Sequence, residues 1–125
     1  MTPDGDDALR HLSAQERDCL RRYCDLLRER LGDRLERLVL FGSAARGDMW
    51  PPASPMHSDI DLLVVTHDPV PEREEEELVN ETYALYLECG RQIGPQFRTA
   101  GQLAEPQNDR AAEFAANMER DGVEL

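Results

Sequence analysis

Two short stretches of this chain hold residue types at spacings that can do chemistry. The first is Gly42-Ser43-Ala44-Ala45-Arg46-Gly47, which follows the apolar run Leu38–Phe41; the second is Asp59-Ile60-Asp61, which opens the apolar run Leu62–Val65. Side chains alternate faces along a strand, so Asp59 and Asp61 point the same way, with Leu63 further along that face, while Ile60, Leu62 and Val64 point to the other face. Two carboxylates roughly 6–7 Å apart on one face repel each other, and a divalent cation between them removes the repulsion. Mg²⁺, held by one or two carboxylates plus substrate phosphates, fits that requirement. A strand that breaks at Gly42-Ser43 into a turn exposes backbone N–H groups beside a hydroxyl, a combination that binds phosphate oxygens. Arg46 adds a positive charge, and Gly47 lets the chain turn away. Each stretch alone is a common turn or strand edge. Joined to two neighbouring strands, they would grip a metal-bound nucleoside triphosphate.

The elements that must position these residues can be read from the rest of the chain. Ser13 and Glu16 form a capping box, followed by Leu20, Tyr23, Cys24, Leu27 and Leu31 at helical spacing, with Gly32 as the stop. Leu35–Phe41 and Ile60–Thr66 read as strands, and Ser43–Gly47 as a turn or the start of a short helix. Pro51, Pro52 and Pro55 make 48–57 a loop. Pro71 suits the first turn of a second long helix, with a Glu run after it, a buried stripe of Leu78, Thr82, Leu85 and Cys89, and Gly90 at its end. Ile93–Thr99 reads as a third strand, edge or irregular because of Gly94 and Pro95, and 108–120 as a last helix with Phe114 and Met118 inward. The expected fold is therefore α/β (α+β): one domain over 1–125, a small mixed sheet covered by helices, with 1–8 a frayed tail.

Composition narrows the function. With 125 residues, 26 acidic against 14 basic side chains and no Lys, the net charge is −12. Direct nucleic-acid binding, which relies on Lys and Arg, is not expected, whereas a metal site or a basic protein partner is compatible. No apolar run approaches the roughly 20 residues of a membrane span, and "MTPDGDDALRHL" lacks a signal-peptide core, so a cytoplasmic location is expected. Cys19, Cys24 and Cys89 do not sit at zinc-ligand spacing and read as small buried apolar residues; His11, His57 and His67 are scattered.

"LFGSAARG" followed by "SDIDLLVV" resembles the signature of the nucleotidyltransferase (DNA polymerase β-like) superfamily, nearest in size to its minimal stand-alone members. The resemblance covers roughly residues 13–104, its specific motifs 41–65. It implies a nucleotidyltransferase fold, Gly42 and Ser43 on the triphosphate with Arg46 beside them, Asp59 and Asp61 as catalytic ligands of Mg²⁺, and transfer of a nucleoside monophosphate from ATP to a hydroxyl. Several minimal members are antitoxins beside HEPN-domain toxins, so the resemblance also implies a protein acceptor, such as a cognate HEPN-type toxin. Two features depart from the pattern. Fifteen residues separate Ser43 from Asp59, against roughly ten in minimal members; Trp50, in that longer loop, is either a stacking surface or a loop anchor. The third carboxylate frequent on the next strand is missing from "RQIGPQFRT", where Gln96 or Arg98 stands instead and Asp48 is a candidate to fold back. Two other readings follow: a binding module that neutralises its partner by contact, and a small-molecule nucleotidyltransferase completed by a second chain. A homo-oligomer and a hetero-oligomer are both open.

Overall fold

The computed structural model describes residues 9–47 and 59–125. The tail at 1–8 and the loop at 48–57, with Asp48 and Trp50, lie outside them. In chain order the elements are α1 (Ala14–Leu31), a 3₁₀ turn (Gly32–Arg34), β1 (Leu35–Phe41), α2 (Gly42–Arg46), β2 (Ile60–Thr66), α3 (Glu72–Cys89), β3 (Ile93–Thr99), α4 (Ala100–Ala104), α5 (Asp109–Asp121) and β4 (Val123–Glu124).

The strands form one mixed sheet in the order β3-β2-β1-β4. β1 and β2 are antiparallel, with Leu38 opposite Val64 and Phe41 opposite Asp61. β2 and β3 are parallel, from Ile60 opposite Ile93 to Thr66 opposite Thr99, and α3 makes the crossover that a parallel pair needs. Despite Gly94 and Pro95, β3 keeps an unbroken register; its place at the edge is what makes the proline tolerable. β2 is central and buried along its whole length except at Asp61, which explains why it reads as a continuous apolar run.

One face of the sheet carries the main core. Leu38, Leu40, Ile60, Leu62, Val64 and Ile93 meet Leu20, Tyr23, Leu27 and Leu31 of α1 and Leu78, Leu85 and Cys89 of α3. The Ser13–Glu16 capping box forms in both directions, and Gly32 and Gly90 close the two long helices with positive φ. Polar ties also cross this layer. The Tyr23 hydroxyl donates to the Leu78 carbonyl at 2.8 Å. The Arg91 Nε donates to Glu16 Oε2 at 2.9 Å, with both side chains buried, so the acid that caps α1 also neutralises a cation that follows α3. Burial pushes the Cys19 and Cys24 thiols up to about 12 and about 11, so neither is a thiolate at neutral pH.

The other face holds a smaller cluster: Val39, Leu63 and Val65 under Met118, with Phe41, Ala100, Leu103 and Phe114 packed around them. Pro71 is the N-cap of α3, one residue ahead of the expected first turn, and the last helix runs Asp109–Asp121 behind an Asn108 cap. Neither α4 nor β4 is expected from the sequence reading above. Among the described residues no helix is long and apolar enough to cross a membrane.

Candidate active site

The site gathers where three strands end or begin on the smaller-cluster face. β1 stops at Phe41 because Gly42 turns the chain with a φ of +70°. The turn must be a glycine for a second reason: a Cβ there would collide with Asp61 Oδ2, so the backbone of the turn lies directly against the carboxylate. Ser43 follows, half-buried in the first turn of α2, and its carbonyl accepts the Gly47 N–H at 2.7 Å. Gly47 ends α2 with a φ of +90°; a side chain there would strike the His11 imidazole at 2.6–2.9 Å. The turn before α1 thus packs behind the Gly42–Gly47 segment, a contact that nothing in the local pattern around His11 announces.

Asp59 precedes β2 and is exposed, while Asp61 is half-buried within it. The two carboxylates converge on Gly94 of β3, where an added Cβ would lie 3.8 Å from Asp59 Oδ2 and 3.8 Å from Asp61 Oδ1. Burial pushes Asp61 up to about 6, the Asp59 charge adds to the rise, and the Arg46 charge opposes it. Arg46 is thereby close enough to act on Asp61, though its side chain is exposed. The structure therefore brings together Gly42, Arg46, Asp59 and Asp61, with Ser43 adjacent in the chain. Two like charges held together this closely, with one partly desolvated, form an oxygen donor set that suits a hard divalent cation.

In the parallel register, Gly94, Gln96 and Arg98 of β3 lie opposite Asp61, Leu63 and Val65 and share their face. No group of three or more His, Cys, Asp and Glu side chains converges here or elsewhere among the described residues. On this side of Asp61, a cavity of about 490 Å³ opens between β3, α4 and α5. Its lining includes Phe41, Gln102, Asn108, Arg110 and Phe114, none of them singled out as site residues from the sequence.

A family model described as a nucleotidyltransferase domain matches residues 20–117. The chain belongs to that family. As a nucleotidyltransferase domain it carries the Gly-Ser turn and the Asp pair inside the matched region. Its fold also matches solved structures. One is the toxin–antitoxin MntA-HpeT in a point-mutant form, at 21% identity and a TM-score of 0.56, covering 85% of this chain and 70% of that one. Another is a toxin–antitoxin with AMP-PNP, at 17% identity and a TM-score of 0.55, covering 82% and 69%. No curated protein sequence matches this nucleotidyltransferase domain.

Proposed function

We propose that this nucleotidyltransferase domain transfers AMP from ATP to a hydroxyl of a partner protein, with Asp59 and Asp61 as catalytic metal ligands and Gly42, Ser43 and Arg46 on the nucleotide phosphates. The reading rests above all on one observation: Asp59 and Asp61 converge on Gly94 while Asp61 also lies against the Gly42 turn, so metal ligands and phosphate donors share one corner. Mg²⁺ held by the two carboxylates would neutralise phosphate charge and polarise the α-phosphorus. The turn's N–H groups and the Ser43 hydroxyl would orient the triphosphate, and Arg46 would oppose its charge.

A protein acceptor is supported by three things. Two structures of similar fold are described as toxin–antitoxin, one of them with AMP-PNP. The net charge of −12 favours a basic partner. Tyr83 and Leu87, one helical turn apart on α3, are 57% and 84% exposed, an apolar surface of the kind a partner covers. A HEPN-type toxin that the domain neutralises in the cytoplasm fits these features. The absence of a third acid beside Asp61 among the described residues favours a second reading, in which the domain silences its partner by contact with little turnover.

Incubation with labelled ATP, Mg²⁺ and the protein encoded beside it separates the two. Label on the neighbour that vanishes with Asp61→Asn supports transfer; a bound, silenced and unlabelled neighbour refutes it.

A further inference from the structure

The cavity beside Asp61 has a chemistry unlike the rest of this acidic chain. Among the described residues its charged lining is Arg98 and Arg110 against Asp61. Arg22, Arg34 and Arg91 each have a carboxylate within ion-pair distance, but among the described residues neither Arg98 nor Arg110 has one. The amides in the lining present donors too. Gln102 and Asn108 line the cavity; Gln102 Oε1 accepts the Thr99 N–H at 2.9 Å and Asn108 Oδ1 accepts the Ala111 N–H at 2.8 Å, so the acceptor oxygen of each amide is engaged while its NH₂ remains a donor group. Arg98 is held ready: its Nη1 donates to the Phe97 carbonyl at 2.8 Å, and its guanidinium lies 5.1 Å over the Phe114 ring. Phe114 is braced edge-on by Phe41, with centroids 5.7 Å apart. A pocket rich in donors, with two cations that have no acidic partner among the described residues, suits an anion.

Its position says which anion. Across the sheet order β3-β2-β1, the Gly42–Ser43 turn lies at the end of β1, the Asp pair at the start of β2, and the cavity on the β3 side. In phosphoryl transfer the attacking and leaving oxygens are roughly in line, on opposite sides of the phosphorus. With pyrophosphate leaving toward the turn, the hydroxyl must approach from β3. We propose that the acceptor hydroxyl enters through this cavity on a group that itself carries a phosphate or a carboxylate, seated by Arg98 and Arg110. This rests on the proposed role of Asp59 and Asp61. The hydroxyl oxygen bonds to the α-phosphorus, the bond from that phosphorus to the bridging oxygen breaks, pyrophosphate leaves with the electron pair, and the hydroxyl proton goes to solvent.

The test is a titration of the full chain with inorganic phosphate, and separately with acetate, read by NMR of isotope-labelled arginine side chains. Arg98→Gln and Arg110→Gln assign the two signals. Each titration is run without nucleotide and with Mg²⁺ and saturating α,β-methylene-ATP, which cannot be cleaved at the α-phosphorus. The expected result is movement of both arginine signals at millimolar anion, retained with the analogue bound, and roughly tenfold weaker for the variant that loses one guanidinium. Tighter phosphate binding names a phosphorylated acceptor, tighter acetate binding a carboxylate-bearing one. No movement at either arginine up to about 50 mM, or displacement of the anion by the analogue, overturns the proposal. An analogue that does not bind at all, with the phosphate response intact, overturns the nucleotide reading of Asp59 and Asp61 and the acceptor assignment with it.

Discussion

The two faces of the sheet are built to different ends from the same three strands. Leu38, Leu40, Ile60, Leu62 and Val64 point into a layer sealed by two eighteen-residue helices, where even the polar atoms are tied off by Tyr23 and by the Arg91–Glu16 pair. Their neighbours one residue along, Val39, Leu63 and Val65, find only Met118 and a few partly buried side chains. Beyond them the same face turns polar at Asp61, Gln96 and Arg98. The period of two along a strand allows this division: a single strand supplies core to one layer and chemistry to the other without either pattern disturbing its alternate. The thick layer stabilises the fold, and the thin one bears the cost of holding Asp61 partly desolvated beside Asp59.

The sharpest way to break that division is at the Asp pair. Asp59→Asn with Asp61→Asn should lower AMP transfer at least a hundredfold, more than the 10–100-fold typical of residues that only support a metal ligand, while the thermal midpoint does not fall. Labelled transfer and calorimetry on the same samples check it; a collapsed midpoint would mean that the pair belongs to the core. The opposite face should respond the other way. Arg91→Met leaves Glu16 buried without its cation and should lower unfolding stability by about 3–5 kcal/mol in urea titration, with much of the loss recovered by adding Glu16→Leu. Nucleotide affinity of the folded fraction should be unaffected.

A smaller effect is expected at Ser43. Ser43→Ala removes one charge-assisted hydrogen bond and should weaken Mg-ATP binding by about 1.5–3 kcal/mol, roughly one to two decades, while adenosine binding barely changes. Equal losses for both ligands would make Ser43 structural only. The smallest effect sharpens the comparison by pH. An acid whose folded pKa is raised destabilises the fold when ionised, so for metal-free protein the strain at Asp61 is present at high pH and fades as pH falls through about 6. Asp61→Asn should therefore raise the melting temperature at pH 8 by a small margin that closes toward about pH 4. A margin independent of pH would show that Asp61 is not the source.

Most of the frame could be read locally. The Ser13–Glu16 box, the stripe Leu78, Thr82, Leu85 and Cys89, and the strands Leu35–Phe41, Ile60–Thr66 and Ile93–Thr99 all emerge with the expected bounds. Each depends on periodicity and end signals carried by residues close in sequence. One missed element was legible: Thr99 and Gln102 form a capping box, the signature that opens α4. β4 was not, because two residues pairing with Val39 and Leu40 have no pattern of their own.

By itself, the sequence determined the alternation that puts Asp59 and Asp61 on one face, the glycine that breaks β1, and the apolar stripes that pack α1 and α3. Only the tertiary structure decided what meets across those elements. It set Asp61 against Gly42, Arg91 against Glu16 seventy-five residues away, His11 behind Gly47, and Arg98 over Phe114 in a cavity whose walls come from segments far apart in sequence. The physical reason is range. Backbone preference and hydrophobic period act over a few residues, whereas the charge balance and shape of a site are fixed by which surfaces the core brings together.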